Sequence, residues 1–596
     1  MCMSKRIAIV DNYKCDPSRC AQECIKYDPI NRSGGEGFYL SEETGKATIS
    51  QEATSEAHQI CAKKCPFDAI KLVKLPQEAS GKPIHQYDEN GFRLYNLAIP
   101  QFGKVVGILG RNGIGKSTAV KILSGLVKPN FGDLSIKEND AEYDAIGKLI
   151  EHYKGTIAQA YFEKMRDGEI VVAYKPQSIN TIPQMFAGTV GELLGKVSED
   201  KERIDELSQK LSLTNFLDHD IKSVSGGELQ RIAIAATMLK KANVYIFDEP
   251  SSFLDIKQRL IIARILRELA DEDTSVIVIE HDLILLDYMT DFVHIIYGEQ
   301  AAYGIISKVK TSKNGINIYL NGYIPDENIQ FRPNKIEFYG RVERADSDQP
   351  TLAQWSEINK SLGTFQLRAK AGKVKKHDVV GILGENGIGK STFAKLLAGE
   401  MKADSGEIDT QVSLSYKPQH IDTDSDELVM SYLGEISSRH DAFLIKPLGI
   451  EKLMMQELKS LSGGQIQIVE VAKCLMADVQ LFLLDEPSAY LDTEQRLVVS
   501  KVIRDLMMET GKTALIIDHD LLFIDYLSDK LLVFEGEPAK AGNVTGPFGL
   551  QDGMNEFLQD INLTFRRDEE TNRPRANKVD SQIDQKQKND KTLYII

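Results

Sequence analysis

The chain has 596 residues, enough for three or four folded domains, and its 42% hydrophobic and 27% charged content is that of a globular protein. No apolar run approaches the ~20 residues that a membrane-spanning helix needs, and the first residues lack the apolar core of a secretory signal, so we expect a cytoplasmic protein. A formal net charge of −15 argues against general coating of nucleic acid, because phosphate contacts need locally concentrated Lys and Arg.

Five cysteines form two short runs near the N-terminus, Cys15-x4-Cys20-x3-Cys24 and Cys61-x3-Cys65-Pro66. Clustered cysteines in a reducing compartment indicate a metal site, and the Cys-Pro ending is typical of bacterial-type ferredoxins. In that pattern the last cysteine of each run ligates the other run's cluster. Cys15, Cys20, Cys24 and Cys65 therefore form one complete set for a [4Fe-4S] cluster, with a zinc site as the alternative.

The second set of that pattern is incomplete in this sequence. Its other three positions hold Asp28, Ser55 and His58, which leaves Cys61 as the single thiol. Hard oxygen ligands suit a four-iron cluster poorly. We predict one cluster, with packing or a different metal in the second place.

Two P-loops follow the head, Gly110–Ser117 and Gly384–Ser391, each after an apolar strand and before a helical pattern. Backbone N–H groups and a helix N-terminus cradle phosphates in such a loop, its lysine reaches the β- and γ-phosphates, and its hydroxyl binds Mg²⁺. The predicted ATP-binding residues of these loops are Asn112, Gly113, Gly115, Lys116, Ser117 and Thr118 in the first and Asn386, Gly387, Gly389, Lys390, Ser391 and Thr392 in the second.

Five further motifs occur in the same order behind both P-loops, which indicates two duplicated domains. The distance between the two Ser-Gly-Gly copies equals that between the two Asp-Glu copies, 237 residues. The motif residues are Gln177 and Gln419; Ser225, Gly226 and Gly227 with Ser462, Gly463 and Gly464; Asp248 and Glu249 with Asp485 and Glu486; Asp255 and Asp492; and His281 and His519.

Apolar strands that end in Asp-Glu place two carboxylates at the carboxyl edge of a parallel sheet, where ligands of α/β folds bind. Asp248 and Asp485 are predicted to hold Mg²⁺ through its water shell, and Glu249 and Glu486 to polarise the attacking water. Each histidine follows an apolar strand and is predicted to sense the γ-phosphate. The full predicted set of Mg²⁺ ligands is Ser117, Gln177, Asp248, Ser391, Gln419 and Asp485.

The first half is longer between its lysine and its glutamine. Lys116 and Gln177 are 61 residues apart, whereas Lys390 and Gln419 are 29 apart. The extra residues fall at about 136–168, where apolar residues recur at helical spacing. We predict a helix-loop-helix projection there, with a plain surface excursion as the alternative.

The Ser-Gly-Gly loops resemble the signature of the ATP-binding cassette superfamily. This resemblance implies a head-to-tail pair in which each ATP lies between one cassette's P-loop and the other cassette's signature. Site one would combine the first P-loop set with Ser462, Gly463 and Gly464, and site two the second set with Ser225, Gly226 and Gly227. ATP would then join the halves and hydrolysis would release them.

Together these features resemble subfamily E of the cassette ATPases, the RNase L inhibitor family of archaea and eukaryotes. The likeness extends to 303–304, 315–325 and 331–333, similar to the family's first hinge, and to 553–557, 564–568 and 573–578, similar to its second. It implies an ATPase that splits ribosomes after termination or stalling with a release-factor-like partner, then stays on the small subunit with initiation factors. It also implies that Tyr87 stacks on adenine in cassette one. We identify no sure counterpart in the sequence of cassette two.

Two departures from the family pattern stand out. The family carries eight cluster cysteines, whereas this chain keeps five. The second signature continues as Gln465-Ile-Gln-Ile468, where the first reads Glu228-Leu-Gln-Arg231. Because Ser-Gly-Gly is intact, we expect closure at site one to persist with altered strength.

The alternatives are a subfamily F-like translation ATPase, which would carry a long charged helical linker, and an iron–sulfur-regulated ATPase acting on another large complex. A transporter ATPase would need a membrane partner, and a redox module would not need both Walker lysines. The predicted α/β architecture has five parts: a ferredoxin-like α+β domain at 1–80, a first cassette at 81–300, hinge 1 at 301–340, a second cassette at 341–540, and hinge 2 with the tail at 541–596.

Overall fold

In the computed structural model the described residues form two compact units. The first contains residues 1–250, 266–280 and 290–334, and the second contains residues 251–265, 281–289 and 335–596. The described residues are 6–12, 14–42, 44–76, 79, 81–136, 142–338, 349–409, 413–419, 425–559 and 561–595. The start of the predicted insert (137–141), the end of hinge 1 and start of the second cassette (339–348), and residue 560 of the tail region therefore lie outside the described residues.

The N-terminal head is a small α+β arrangement. Its strand Arg6–Val10 pairs antiparallel with Ile70–Lys74, and Tyr39–Leu40 pairs with Ala47–Thr48. Three short helices, Glu23–Lys26, Pro29–Arg32 and Gln59–Lys64, carry or flank the cysteines. The core of the head includes Cys15, Cys24 and Cys61 beside Phe38 and Ile49, so cysteines occupy places that larger apolar side chains usually fill.

The first cassette is built on a nine-stranded sheet. Its central strands are parallel and fully buried, as expected for strands covered on both faces. In spatial order, the strands are His85–Gln86, Arg93–Tyr95, Tyr303–Ile306, Phe292–Glu299, Val105–Leu109, Ser275–Ile279, Val244–Asp248 and Val172–Lys175, with Lys310–Thr311 beside Phe292–Glu299. The main helices of the unit are Lys116–Leu123, Ala145–His152, Ile157–Arg166, Val190–Val197, Lys201–Lys210, Gly226–Met238 and Ser312–Asn321.

Helices Ala145–His152 and Ile157–Arg166 occupy the region of the predicted insert. Their apolar faces pack on the cassette core through Leu149, Ala158, Tyr161 and Phe162. Ile157, in contrast, is 80% exposed. The extra segment is therefore a packed helical pair with an outward apolar side chain at its turn.

The second unit repeats the architecture. Its eight-stranded sheet has the spatial order Ile358–Leu362, Phe365–Ala369, Ala541–Gly549, Lys530–Glu537, Val379–Leu383, Thr513–Ile517, Leu481–Asp485 and Leu414–Lys417. Gly372–Lys375, Thr351–Trp355 and Ile408–Asp409 form a separate three-stranded sheet. The principal helices are Ile256–Leu269 (from its start to Ile265), Leu283–Met289, Lys390–Leu397, Val429–Leu433, Gly463–Leu475, Thr493–Thr510, Leu521–Leu527, Leu550–Gln559 and Gln582–Asn589.

The C-terminal tail folds as a hairpin followed by a helix. Phe565–Arg567 pairs antiparallel with Pro574–Ala576, and the helix Gln582–Asn589 follows. Buried polar contacts hold these elements, among them Thr564 to Asp584 at 2.6 Å and Gln587 to the carbonyl of Phe565 at 2.9 Å. The predicted fold class, two P-loop cassette domains with a ferredoxin-like head, is confirmed.

Candidate ATPase sites and iron–sulfur centre

Both P-loops turn sharply into their helices at a glycine with a left-handed backbone. Gly115 has φ 96° and Gly389 has φ 93°. A Cβ at Gly115 would lie 2.5 Å from Phe92 Cζ, and one at Gly389 would lie 2.8 Å from Phe365 Cζ. Only glycine satisfies both the dihedral angle and the aromatic side chain packed against it.

In each loop the lysine side chain folds back over backbone carbonyl groups of the same loop. Lys116 Nζ donates to the carbonyl of Gly110 at 2.9 Å, and Lys390 Nζ donates to that of Gly384 at 2.8 Å. Both ammonium groups are therefore held inside the loop, where a bound phosphate would lie.

The predicted Mg²⁺ ligands converge in the same way in both cassettes. Ser117 Oγ donates to Asp248 Oδ2 at 3.2 Å, and Ser391 Oγ donates to Asp485 Oδ2 at 2.8 Å. Oxygen ligands from a P-loop hydroxyl and an adjacent carboxylate fit the coordination that Mg²⁺ prefers.

In both cassettes the predicted glutamine also forms a hydrogen bond with the predicted glutamate. Gln177 Nε2 donates to Glu249 Oε1 at 2.7 Å, and Gln419 Nε2 donates to Glu486 Oε1 at 2.6 Å. Both glutamates have φ 47°, in the left-handed region that side chains rarely adopt, and such strain is typical of functional positions. Each carboxylate is thus aimed by a backbone turn and restrained by a motif glutamine.

Two pairs of supporting residues escaped the sequence analysis. Lys175 and Lys417 are 1% exposed, and each donates to the carbonyl of the following Walker aspartate at 2.9 Å. Gln230 and Gln467 hold the carbonyls of Glu249 and Glu486 at 2.8 and 2.7 Å. Their recurrence inside the Tyr-Lys-Pro-Gln and signature repeats was the signal that could have identified them.

Burial sets the electrostatics of the second cassette's site. It raises the pKa of Asp485 and of Glu486, and it lowers the pKa of Lys390 to about 8. A glutamate with a raised pKa is a better proton acceptor near neutral pH than an ordinary exposed carboxylate.

His519 lies at the centre of this arrangement. Its Nε2 is 3.3 Å from Lys390 Nζ and 3.6 Å from Glu486 Oε1. Burial, followed by the charge of Lys390, lowers the pKa of His519 well below its usual value, so the ring is neutral. A neutral ring beside lysine and glutamate is suited to sense a γ-phosphate without adding positive charge.

Asp255 and His281 belong to the second unit. The Asp255 carboxylate accepts from the backbone N–H of Asn386, in the second P-loop, at 3.2 Å. Beside Asp492, Thr493 Oγ1 donates to the carbonyl of the buried His281 at 2.7 Å. Asp255 therefore lies beside Asn386 of the second P-loop, and the segment that begins at Asp492 lies beside His281.

Both signature loops begin their helices with a capping box. Ser225 accepts from the N–H of Glu228, whose carboxylate accepts from the N–H of Ser225 at 2.7 Å; Ser462 and Gln465 make the same pair, with the return bond at 2.9 Å. Gln465 thus preserves the cap and removes one negative charge from the helix start. At the other changed position, Arg231 donates to the carbonyls of Leu211 and Ser212, whereas Ile468 is buried.

The predicted adenine-stacking residue, Tyr87, is 44% exposed, and its hydroxyl lies 3.1 Å from Thr118 Oγ1. It lies on a loop between paired residues Gln86 and Arg93. In cassette two the corresponding strands close by a two-residue turn between Leu362 and Phe365. The connection that carries Tyr87 in cassette one is therefore shorter in cassette two.

The four cysteines of the complete set line one pocket, with Leu40, Pro66 and Phe67 among its walls. Ala47 N–H donates to Cys15 Sγ at 3.5 Å, and Ala69 N–H donates to Cys65 Sγ at 3.4 Å. Burial, and then the neighbouring cysteines, raise the pKa of Cys24 to about 11. Four sulfurs that share a pocket, on two buried and two half-buried cysteines, fit an iron–sulfur cluster, which binds thiolates and displaces their protons.

The described part of the chain contains neither a membrane-spanning helix nor a cluster of His, Cys and acidic side chains for a single metal ion. No helix there combines the length and apolar character needed to cross a membrane. Within the same residues, no three His, Cys, Asp or Glu side chains are arranged to hold a single metal ion.

Comparison with known proteins identifies the family. The family model described as ABC transporter matches residues 95–252 and 367–489, and the model described as a possible Fer4-like domain in RNase L inhibitor matches residues 6–36. Translation initiation factor RLI1 of Saccharomyces cerevisiae is 40% identical over 100% of this chain and 98% of its own length. The chain belongs to the RNase L inhibitor family. Like the family, it is an ATP-hydrolysing cassette protein and not a transporter.

Solved structures of the family match along the chain. A model of ribosome-bound archaeal Pelota and ABCE1 is 45% identical, has a TM-score of 0.90, and covers 99% of both chains. The crystal structure of archaeal ribosomal stalk protein aP1 with the archaeal ribosome recycling factor aABCE1 is 47% identical, has a TM-score of 0.81, and covers 86% of this chain and 99% of that one.

Proposed function

We propose that this RNase L inhibitor family member is an ATP-driven ribosome recycling factor. It splits ribosomes into subunits after termination or stalling, and remains with the small subunit toward initiation. One observation carries the proposal: two matching catalytic sets and a cysteine-lined head occur in a chain similar over 99% of its length to ribosome-bound ABCE1.

The proposed working parts follow the predicted boundaries. The head at 1–80 acts on the ribosome, cassettes at 81–300 and 341–540 bind ATP, and hinges at 301–340 and 541–596 permit closure. The first strand of each hinge segment, Tyr303–Ile306 and Ala541–Gly549, is part of the adjoining cassette's sheet. Arg332 stabilises the hinge 1 segment: its side chain is buried and donates hydrogen bonds to the carbonyls of Tyr319 and Leu320. These contacts give the hinge a fixed shape about which the cassettes can turn.

ATP is proposed to bind at two composite sites, each completed by the other cassette's Ser-Gly-Gly. The signature helix presents backbone N–H donors at its start, which suit a γ-phosphate. ATP at both sites would favour the closed state, because only that state gives the γ-phosphate all its partners.

Within each site, side chains of the chain itself prepare hydrolysis. Mg²⁺, when bound, neutralises phosphate charge; Ser117 with Asp248 and Ser391 with Asp485 would hold it. Glu249 and Glu486 orient and polarise the attacking water, and Gln177 and Gln419 keep these carboxylates in place.

The head is proposed to follow the state of cassette one through the loop of Tyr87. At the far end of this loop, Asn90 donates to the carbonyls of Ala8 and Ile49 at 3.0 and 2.9 Å and accepts from the N–H of Ile49. The same short loop therefore carries the proposed adenine contact and a buried attachment to two head segments.

The proposed cofactor of the head is one [4Fe-4S] cluster on Cys15, Cys20, Cys24 and Cys65. In Cys20→Ser protein we expect loss of iron and of ribosome splitting, with basal ATP hydrolysis retained, since Cys20 is in the head and not in a cassette. Cys474→Ser, which removes a buried thiol of cassette two, is the matched control and should keep its iron.

The proposed partners are the ribosome, mainly the small subunit with its rRNA and proteins, a release-factor-like protein, and initiation factors. A cytoplasmic location without a membrane partner fits these partners. Structures of relatives, on the ribosome with Pelota and in complex with a ribosomal stalk protein, support the ribosome as a partner.

Sucrose-gradient sedimentation tests the proposal. The chain is mixed with ribosomal subunits in ADP or in a non-hydrolysable ATP analogue. We expect co-migration with the small subunit in the analogue and not in ADP. Migration that is independent of nucleotide, or absent in both, would contradict the proposed function.

A further inference from the structure

The second cluster position of the head is occupied by side chains of a different chemistry. Asp28 and His58, which stand where the ferredoxin pattern has cysteines, are both 0% exposed. His58 Nε2 lies 3.5 Å from Asp28 Oδ2. The two residues come from separate segments of the head, so the fold itself has brought these positions together.

The Asp28 carboxylate is already fully engaged by the protein. Its Oδ1 accepts from the N–H groups of Ile30 and Asn31 at 2.6 and 3.1 Å, and its Oδ2 accepts from the N–H of Phe38 at 2.8 Å. It thus caps the helix Pro29–Arg32 and fixes the start of the next segment. A carboxylate with three backbone donors has little capacity left to ligate iron.

His58 is oriented by the last residue of the set. The N–H of Ser55 lies 3.1 Å from His58 Nδ1, and this contact holds the ring with Nε2 facing Asp28 Oδ2 at 3.5 Å, without a hydrogen bond between them. Phe38 packs against the ring edge, with centroids 6.1 Å apart. Three of the four degenerate positions therefore lie together in one buried polar cluster, in which Ser55 contacts His58 and His58 lies beside Asp28.

The surrounding chain also closes over this position. A Cβ on Gly37 would lie 2.3 Å from Asp28 Oδ1 and 2.4 Å from Oδ2. Asn31 holds that segment, since its side chain accepts from the N–H of Gly37 at 2.7 Å and donates to the carbonyl of Phe38 at 2.7 Å. The backbone lies directly on the carboxylate, in a place where a cluster would need room.

We infer that the second cluster position has become a metal-free polar core, in which Asp28, His58 and Ser55 make the cross-links that a cluster would otherwise make. The inference rests on the proposed cluster at Cys15, Cys20, Cys24 and Cys65 only for the total iron content. It assigns these residues a structural role, and it means that the head depends on iron at one site.

Iron and acid-labile sulfide per chain test the inference in the full-length protein. Wild-type protein, purified anaerobically and reconstituted with excess iron and sulfide, should hold about four of each. The variant Asp28→Cys/Ser55→Cys/His58→Cys, with Cys61 unchanged, restores four thiols and should hold about eight. A matched variant with three cysteines at exposed head positions, Ser33→Cys/Glu36→Cys/Thr44→Cys, should stay at about four.

About eight irons in the wild type would overturn the inference, and so would a soluble restored variant that gains none over the wild type. Iron-free wild-type protein would refute the proposed first cluster, whereas the difference between variant and wild type would still report on the second position. Failure of the inference and failure of the proposed first cluster are therefore distinguishable.

A second measurement is independent of the triple variant. Asp28→Ala leaves three backbone donors unpaired inside the head, so we expect the head's melting temperature to fall by on the order of 10 °C. Glu36→Ala, at an exposed acid of the same segment, should leave it unchanged. An unchanged melting temperature in Asp28→Ala protein would contradict the structural role.

Discussion

Arg573 Nη1 donates a hydrogen bond to Asp287 Oδ2 at 3.0 Å, and the two side chains are 0% and 4% exposed. Arg575 binds the same carboxylate through two nitrogens. Asp287 lies six residues after His281, and Asp525 stands at the same distance from His519, where Arg567 binds it. The tail therefore binds the helices that follow both histidines predicted to sense the γ-phosphate.

Removing this anchor should destabilise the second unit strongly. Asp287→Ala leaves the buried Arg573 without its partner, and we expect a loss of about 3–5 kcal/mol in the free energy of unfolding. Chemical denaturation measures the loss. Lys540→Ala, which breaks an exposed pair with Glu537, is the control and should change stability by less than about 0.5 kcal/mol. Equal effects of the two changes would contradict a bracing role for the tail.

The balance of charge in the tail also favours a bracing role over RNA binding. From Arg566 to Ile596 it holds eight Lys and Arg against six Asp and Glu, too even for a phosphate-binding arm. Truncation after Leu563 should impair folding or closure. A truncated protein that stayed stable and active as an ATPase but lost ribosome binding would instead make the tail an RNA contact.

The two glutamates should be needed for hydrolysis and not for binding. Glu249→Gln or Glu486→Gln keeps the volume and the contact with the motif glutamine but removes the base, so turnover at that site should fall by roughly 10²–10⁴-fold. Single-turnover hydrolysis and nucleotide binding measure the two effects separately. Undiminished turnover in the double variant would remove the catalytic assignment.

Because the two signatures differ in charge at the start of their helices, opposite substitutions should have opposite effects at the two ATP sites. Gln465→Glu adds a negative charge at the start of the helix Gly463–Leu475 while keeping its capping box. Helix-terminus electrostatics of about 0.3–1 kcal/mol would raise the ATP concentration for half-maximal closure at site one roughly 2- to 5-fold. The reverse change, Glu228→Gln, should lower it at site two. Fluorescence energy transfer between the cassettes measures closure, and shifts of the same sign in both variants would refute the argument.

The first unit should lose stability in acid through His294. This residue is buried, its Nδ1 lies 2.8 Å from the carbonyl of Ser307, and burial lowers its pKa from 6.5 to about 4. Between these values the unfolded chain binds the proton and the folded chain does not, so stability is complete above pH 6.5 and falls by ~1.4 kcal/mol per pH unit below it.

Denaturation between pH 7 and pH 5 measures that slope. His294→Gln should flatten it, whereas His219→Gln, at an exposed histidine of the same unit, should leave it as in the wild type. A slope that persists in His294→Gln protein would assign the acid sensitivity to other groups.

Sequence motifs predicted the cassette fold because the residues needed to bind nucleotide recur in the same order in both halves of the chain. The pairing of Ser117 with Asp248 could be anticipated, since both follow strands that end at one sheet edge. The bond from Thr493 to the carbonyl of His281 could not, because it joins residues 212 positions apart through tertiary packing. The contact between Arg573 and Asp287 was hidden for the same reason. The use of Asp28 as a helix cap is local, and the Asp28-Pro29 pair was the signal that could have identified it.

Splitting of purified ribosomes is the most direct measurement of the proposed activity. Purified ribosomes are incubated with the chain, a release-factor-like protein and Mg-ATP, and the fraction converted to subunits is measured by light scattering. We expect ATP-dependent splitting that is lost in the Glu249→Gln/Glu486→Gln protein and in Cys20→Ser protein. Intact ribosomes with the wild-type protein, or equal splitting with the double glutamine variant, would contradict it.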